Sequence, residues 1–205
     1  MTMRVAVLLS GSGTTLQNLI DRSEDGTLDA DISCVIASRS GAYGLERAHR
    51  HNIPSVALPR RNFADEAAYN EAVWAEIRRS GADLVALAGY MLLLPVPDDY
   101  INRIMNVHPA LIPAFCGHNM YGRHVHEAVL AYGAKITGAT VHFVDHQYDH
   151  GPIILQESVP VLPEDTPDTL AARVQALERE LYPRAIQLFA EDRLRVEGRV
   201  VHILA

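Results

Sequence analysis

Apolar residues along this chain fall into two kinds of run. Val5–Leu9, Ile32–Ala37 and Leu84–Leu87 are short and continuous. Runs without alternation read as strands buried on both faces of a parallel sheet. Met105–Val107 is a shorter run of the same kind. Between them the apolar positions spread at helical spacing, predicting helices over Thr15–Ser23, Gly44–His51 and Glu66–Ser80. Strand alternating with helix is the order of a doubly wound, mostly parallel open α/β sheet, a Rossmann-like architecture. Beyond Lys135 the pattern changes. Thr137–Val144 and Ile153–Val161 alternate more and flank a polar loop, which predicts an antiparallel addition. A helix follows from Asp168 to Phe189, with Thr166 as N-cap and Pro167 in its first turn. Pro183 inside it is expected to kink or break it. Leu194–Glu197, Gly198-Arg199 and Val200–Leu204 read as a terminal hairpin.

The bulk numbers narrow this picture. At 205 residues and 48% apolar content, a single domain with a sizeable core is expected over 1–205. Its phosphate-binding half is expected at 1–103 and its catalytic half at 104–205. Net charge is 18 − 25 = −7, so no basic stripe is available for nucleic acid. The pairs Arg60-Arg61 and Arg78-Arg79 are read as solvated faces. Cys34 and Cys116 form no C-x-x-C pattern. Cys34, in an apolar run, is expected to be a small buried hydrophobe. Val5–Leu9 is too short for a membrane span and lacks a processing site after it, so a cytoplasmic protein with no membrane partner is expected.

Four groupings carry candidate chemistry. Ser10-Gly11-Ser12-Gly13-Thr14-Thr15-Leu16 lies between the first strand and the first helix, where backbone N–H groups and the helix dipole favour phosphate. It is neither a dinucleotide fingerprint, since Leu16 stands where glycine is needed, nor a Walker A loop. Position alone leaves two readings, a phosphate site approached through the Gly13 backbone or an unliganded turn. Asn106-Val107-His108-Pro109 puts an amide and an imidazole on one face at a strand end, suited to an oxyanion donor and a proton carrier. The loop Asp145-His146-Gln147-Tyr148-Asp149-His150 adds carboxylates and imidazoles. Gln175 and Glu178, three apart on the late helix, share a face and suit two sugar hydroxyls or plain solvent. His118, His124, His126 and His142 raise a zinc reading. His124 and His126 do not share a helix face and no thiolate spacing accompanies them, so no metal is expected.

Taken together, several ordered motifs resemble the glycinamide ribonucleotide transformylases, a folate-dependent formyltransferase family of purine synthesis. They are S-G-S-G-T-T-L-Q at 10–17, L-A-G-Y-M at 87–91 and N-V-H-P-A-L-I-P at 106–113. H-V-H at 124–126, G-A-T-V-H-F-V at 138–144, D-H-G-P-I-I-L-Q at 149–156 and R-V-Q-A-L-E at 173–178 complete the set. The resemblance implies an enzyme taking 10-formyltetrahydrofolate as co-substrate and glycinamide ribonucleotide as acceptor. It implies phosphate contacts at Gly13, Thr14 and Thr15, ribose contacts at Gln175 and Glu178, and further substrate contacts at Ser12, Gly89 and Pro109. The folate would meet Met91, Leu92, Leu93, Leu94, Val144, Asp145 and His146, besides Asn106 and Asp149. Asn106 would orient the formyl oxygen, His108 would donate the proton as a cation, and Asp149 would raise the His108 pKa. His124, Thr140 and His142 would support them. A homodimer is left open.

The chain also departs from the family pattern. Cys116–Arg123 is longer than the shortest family loops before H-x-H, which suggests a lid, and His150 replaces a small residue. Glu66 and Leu92 stand where the family commonly has arginines that meet the folate tail. The tail is therefore expected to be held loosely, with Arg60 and Arg61 the nearest basic residues in sequence. Alternatives are a formyltetrahydrofolate hydrolase, which would need an N-terminal regulatory domain, and a methionyl-tRNA formyltransferase, which would need a C-terminal domain and basic surface. A sugar-amine formyltransferase and a non-enzymatic phosphate-binding module also remain.

Overall fold

The computed structural model describes residues 2–205. The chain divides into two compact units, one ending at Met105 and the other running Asn106–Ala205. In the first, β1 (Met3–Leu9), β2 (Ala30–Ala37), β3 (Ser55–Ala57) and β4 (Leu84–Leu87) line up in the order β3-β2-β1-β4, with every paired neighbour parallel. This is the doubly wound order expected from strands that are buried runs. Val5 to Leu9 of β1 and all four residues of β4 are buried. The intervening helices are α1 (Thr14–Glu24), α2 (Tyr43–Arg50) and α3 (Glu66–Arg79). α1 buries Leu16, Leu19 and Ile20 at helical spacing. α3 starts where the Asp65 carboxylate accepts the Ala68 N–H at 2.8 Å. The three-residue strand β3 escaped the sequence pattern because it is too short to show a period. Cys34 is buried, as its apolar run predicts.

β5 (Ile104–His108) carries the chain across the division. The second unit then holds α4 (Arg123–Tyr132), β6 (Ile136–Phe143), β7 (Ile153–Pro160), α5 (Pro167–Ala190), β8 (Leu194–Glu197) and β9 (Val200–Ile203). β6 and β7 pair antiparallel, and β8 and β9 close the expected terminal hairpin. β9 adds to β7 in parallel. β6 does not alternate: every residue after Ile136 is buried, because α5 packs against it as well. Its polar residues Thr137, Thr140 and His142 therefore lie inside the protein. α5 begins with a reciprocal capping box between Thr166 and Thr169, with Pro167 at its start. Pro183 does not break it; the helix runs through to Ala190 with Pro183 and its neighbours Leu181 and Tyr182 buried. Burial of that face offsets the missing N–H. His124 and His126 lie in the first turn of α4.

Three loops at the carboxyl ends of the first unit's strands are tied together by serines. Ser10 Oγ accepts the Met91 N–H at 3.0 Å and lies 2.6 Å from Ser38 Oγ, while the Ser10 N–H donates to the Gly89 carbonyl at 3.1 Å. The turn from β1 into α1 is set by packing. Gly13 has φ 70°, and a Cβ there would fall 2.6 Å from the Gly44 Cα of α2. Gly44 is equally confined, since its own Cβ would meet Leu9 Cδ2 at 2.4 Å. The glycine at position 13 is therefore required by the contact between α1 and α2, before any ligand is considered. Gly13→Val should destabilise the protein by about 2–4 kcal/mol through overpacking and left-handed strain. Gly11→Ala, with nothing within 4 Å of the added atom, should stay within about 0.5 kcal/mol of the parent. Urea unfolding of the two variants tests this; equal stabilities would refute the packing argument.

Candidate active site

β5 delivers Asn106 and His108 to one face, two residues apart, as strand periodicity requires. His108 is buried. Its Nε2 lies 2.9 Å from the Phe115 carbonyl, which can only accept, so Nε2 carries a proton. Its Nδ1 faces Asp149 Oδ2 at 3.4 Å. The same carboxylate accepts the Gly117 N–H at 2.9 Å through Oδ2 and the Asn106 amide at 3.4 Å through Oδ1. Asn106 Nδ2 also lies 3.3 Å from His142 Nε2, while His142 Nδ1 donates to the Phe143 carbonyl at 2.7 Å. The structure thus gathers Asn106, His108, Asp149 and His142 into one cluster. Among the described residues, no three or more His, Cys, Asp or Glu side chains are placed to hold a metal ion.

The backbone around the cluster is held by Thr140, a supporting residue by the family resemblance, and by Gln156, to which no role was assigned. Thr140 Oγ1 donates to the Ala110 carbonyl at 2.6 Å and accepts the Ile112 N–H at 3.2 Å. Gln156 Nε2 joins at 2.9 Å from both Thr140 Oγ1 and the Ile112 carbonyl. Gln156, Phe115 and Gly117 escaped notice because two act through main-chain atoms and one through a glutamine on a strand. Asp149 itself has φ 52°, an uncommon conformation for a residue with a side chain. Its turn is pressed against β6: a Cβ on Gly151 would sit 1.9 Å from the Phe143 carbonyl oxygen. His150 Nδ1 pairs with Asp145 Oδ2 at 2.6 Å, and Arg199 of the terminal hairpin donates to the His150 carbonyl at 2.6 Å.

Electrostatics correct one expectation. Burial pushes the His108 imidazole below its ordinary value; the Asp149 carboxylate and the Phe115 carbonyl act upward but do not win. His108 is therefore neutral at pH 7 rather than the cation that the family resemblance implies. Burial alone would raise the Asp149 carboxyl. The adjacent His142, the pull of His108 and the Gly117 N–H outweigh it, and Asp149 stays ionised. His126 is also buried and pushed down by burial, and among the described residues its Nδ1 has no partner. His124, two residues earlier, is exposed and stacks on Tyr121.

Other sequence candidates divide by environment. At the start of α1 no side chain caps Gly13, so N–H groups of the first turn remain for an anion. Ser12 and Thr14 are exposed and Thr15 is half-buried, while Arg47 Nε steadies the loop through the Ser12 carbonyl at 2.9 Å. Met91 and Leu92 line a cleft in the first unit, whereas Leu94 is buried in the core. Val144 and Asp145 are half-buried and His146 is exposed, as are Gly89 and Gln175. Glu178 is half-buried, and burial pushes its carboxyl up to about 7.

The sequence model of the formyl transferase family matches residues 3–186. The chain belongs to the formyl transferase family. It is 38% identical over 202 residues to the phosphoribosylglycinamide formyltransferase of Haemophilus influenzae, covering 98% of this chain and 93% of that protein. It is 39% identical to the trifunctional purine biosynthetic protein adenosine-3 of Bos taurus, spanning 96% of this chain but only 19% of that longer protein. The crystal structure of glycinamide ribonucleotide transformylase 1 from Symbiobacterium toebii superimposes with a TM-score of 0.94 at 43% identity, over 100% of this chain and 95% of that one. A formyltetrahydrofolate deformylase from Pseudomonas syringae reaches 0.89 at 27% identity, over 100% of this chain and 67% of that one. The formyltransferase fold expected from the motifs is thus present from end to end.

Glu178 yields a pH prediction. A carboxyl whose folded pKa is about 7, against an ordinary value near 4.3, favours the folded state fully only below the lower figure. Its contribution is lost as pH rises through about 7. Glu178→Gln should therefore raise the stability of the ligand-free protein at pH 8 by about 1–3 kcal/mol and change it little at pH 4.5. Thermal unfolding at the two pH values measures the difference; a gain that is equal at both would remove Glu178 as its source.

Proposed function

We propose that this member of the family transfers the formyl group of 10-formyltetrahydrofolate to the amine of glycinamide ribonucleotide, in purine synthesis. The observation that carries the reading is the cluster of Asn106, neutral His108 and ionised Asp149, with His108 Nδ1 facing the carboxylate at 3.4 Å. The amine nitrogen attacks the formyl carbon and the carbonyl oxygen becomes an oxyanion. Among the described residues the Asn106 amide is held by two long contacts, of 3.3 and 3.4 Å, so it can turn to donate to that oxygen. The new bond leaves the attacking nitrogen with a proton to lose. His108 at Nδ1, backed by Asp149, accepts it and passes it to the departing folate nitrogen as the carbon–nitrogen bond breaks. A resting neutral imidazole fits this cycle, because it begins as the acceptor and is charged only in passing. Asp149 stabilises that transient charge without itself being protonated.

The reading assigns the substrate phosphate to the N–H groups at Gly13, Thr14 and Thr15, and its ribose to Gln175 and Glu178. A carboxylate that burial penalises gains from two hydroxyl donors, so sugar binding would relieve Glu178. Remote contacts of this kind position the amine. The folate is assigned to Met91–Leu93 and the 144–149 loop. No step calls for a metal.

Replacing Asn106, His108 or Asp149 by Ala should each lower kcat by at least ~10²-fold in a formyl-transfer absorbance assay, with effects that do not add. Folded His108→Ala protein with near-parental turnover would sink the assignment. The parent should also lose kcat/KM as pH falls through the depressed pKa of His108, below its ordinary value of 6.5. A limb that instead falls as pH rises through that region would restore the cationic acid. Turnover should be unchanged after exhaustive chelation. Release of formate without ribonucleotide, at a rate matching transfer, would move the protein to the hydrolases.

A further inference from the structure

The turn that carries Asp149 is tied end to end by a histidine. His150 Nδ1 lies 2.6 Å from Asp145 Oδ2, and a carboxylate can only accept, so Nδ1 carries a proton. That leaves Nε2 to accept, and Arg199 Nη1 stands 3.3 Å from it. Arg199 Nη2 donates to the His150 carbonyl at 2.6 Å. One guanidinium thus grips the ring and the main chain of His150 together, a use of its planar fork that a lysine could not copy. Strand pairing puts Arg199 there. β9 meets β7 in parallel at Val200 and Ile153, so the residue before Val200 falls beside the turn that leads into Ile153. The base of the turn is pinned where the Phe143 N–H donates to the Pro152 carbonyl at 2.8 Å. Asp149 lies inside the turn so closed and has φ 52°. A residue with a side chain stays in that region only where its neighbours over-determine it.

We infer that Arg199 is a positioning residue for formyl transfer: through His150 it fixes the turn that presents the Asp149 carboxylate to His108. This deepens the proposed function and rests on it for the role of Asp149. The carboxylate has little latitude. Its Oδ2 meets the Gly117 N–H at 2.9 Å and faces His108 Nδ1 at 3.4 Å, while Oδ1 lies 3.4 Å from the Asn106 amide. A small rotation of the backbone at Asp149 moves all three contacts at once, and the next residue is the one that Arg199 holds. Arg199 and His150 are exposed and Asp145 is half-buried, so their contacts add little to global stability. Their effect falls on the placing of Asp149 instead, where a shift of about 1 Å can lower a rate about 10²-fold. His150 stands where the family commonly has a small residue, and a small residue could not reach Asp145 and Arg199 at once.

The test compares the parent with Arg199→Ala, His150→Ala and the double variant. Arg195→Ala is the control, since it removes an arginine of the same hairpin that pairs with Glu197 at 3.0 Å. Each protein is read by formyl transfer, by thermal unfolding and by NMR titration of the His108 imidazole without ligands. Arg199→Ala should lower kcat about tenfold or more, with KM for the ribonucleotide unchanged. Its Tm should stay within about 2 °C of the parent. His150→Ala spares the carbonyl contact and should lose less, and the double variant should lose no more than Arg199→Ala. The Asp149 carboxylate draws the His108 titration upward, against burial and His142; His126 is the other buried imidazole nearby. Releasing Asp149 should therefore move that titration to lower pH in Arg199→Ala, while Arg195→Ala behaves as the parent. Parental kcat in Arg199→Ala, an equal loss in Arg195→Ala, or a His108 titration that stays or moves up overturns the inference. His150→Ala decides by the same readouts if Arg199→Ala does not fold. If the parent transfers formyl and the Arg199 variant matches it, the positioning role alone fails. If the parent transfers none, the proposed function fails, and the His108 titration still decides whether Arg199 places Asp149.

Discussion

Holding an ionised carboxylate in a mostly buried place is the constraint around which the second unit is organised. Asp149 is out of water except for an edge, so its charge must be met by donors. Gly117 offers a main-chain N–H and Asn106 an amide, and the His108 and His142 rings, each directing its own N–H at a main-chain carbonyl, stand within 3.7 Å. Those groups come from a strand, a loop and a second strand. Each must be positioned in turn, which is what Thr140 and Gln156 do for the chain after β5. Loss of one donor leaves a charge poorly solvated rather than one bond fewer, so the groups behave as a unit.

The first unit solves a different problem, bringing three loops to one end without filling the space they enclose. Ser10 joins its neighbours through one hydroxyl and one N–H, and Gly13 lets α1 approach α2 at backbone distance. Small residues at the turn therefore answer to the packing of two helices. The same turn leaves N–H groups uncapped, so close packing and anion binding ask for the same residue types and cannot be separated by composition.

Much of this was legible in the sequence because it is periodic. Buried strands read as unbroken apolar runs, the cap at Thr166 and the hairpin after Arg193 have local signatures, and two residues at a strand end share a face by geometry. What was not legible depends on tertiary surroundings. The charge of His108 follows from how deeply it is buried, which no local pattern reports. That His124 and His126 lie on different helix faces follows from their spacing, but which of the two is buried shows only once α4 has been placed. The Phe115 carbonyl and the Gly117 N–H belong to the main chain, which every residue has. The break that Pro183 could make is absent for a related reason: its local cost is real, but a buried helix face can outweigh it.

The clasp of His150 between Asp145 and Arg199, whose guanidinium donates to the His150 carbonyl and lies 3.3 Å from its ring Nε2, links the turn bearing Asp149 to a hairpin nearly fifty residues downstream. Neither end of that clasp belongs to the reacting cluster. Each nonetheless gives the other its reason to be retained, since an arginine without the histidine turn has nothing to hold, and the turn without the arginine loses a brace. Among descendants of this chain the two positions are expected to drift together. A pair of exchanges at 150 and 199 would then be a more readable mark of shared ancestry than either alone.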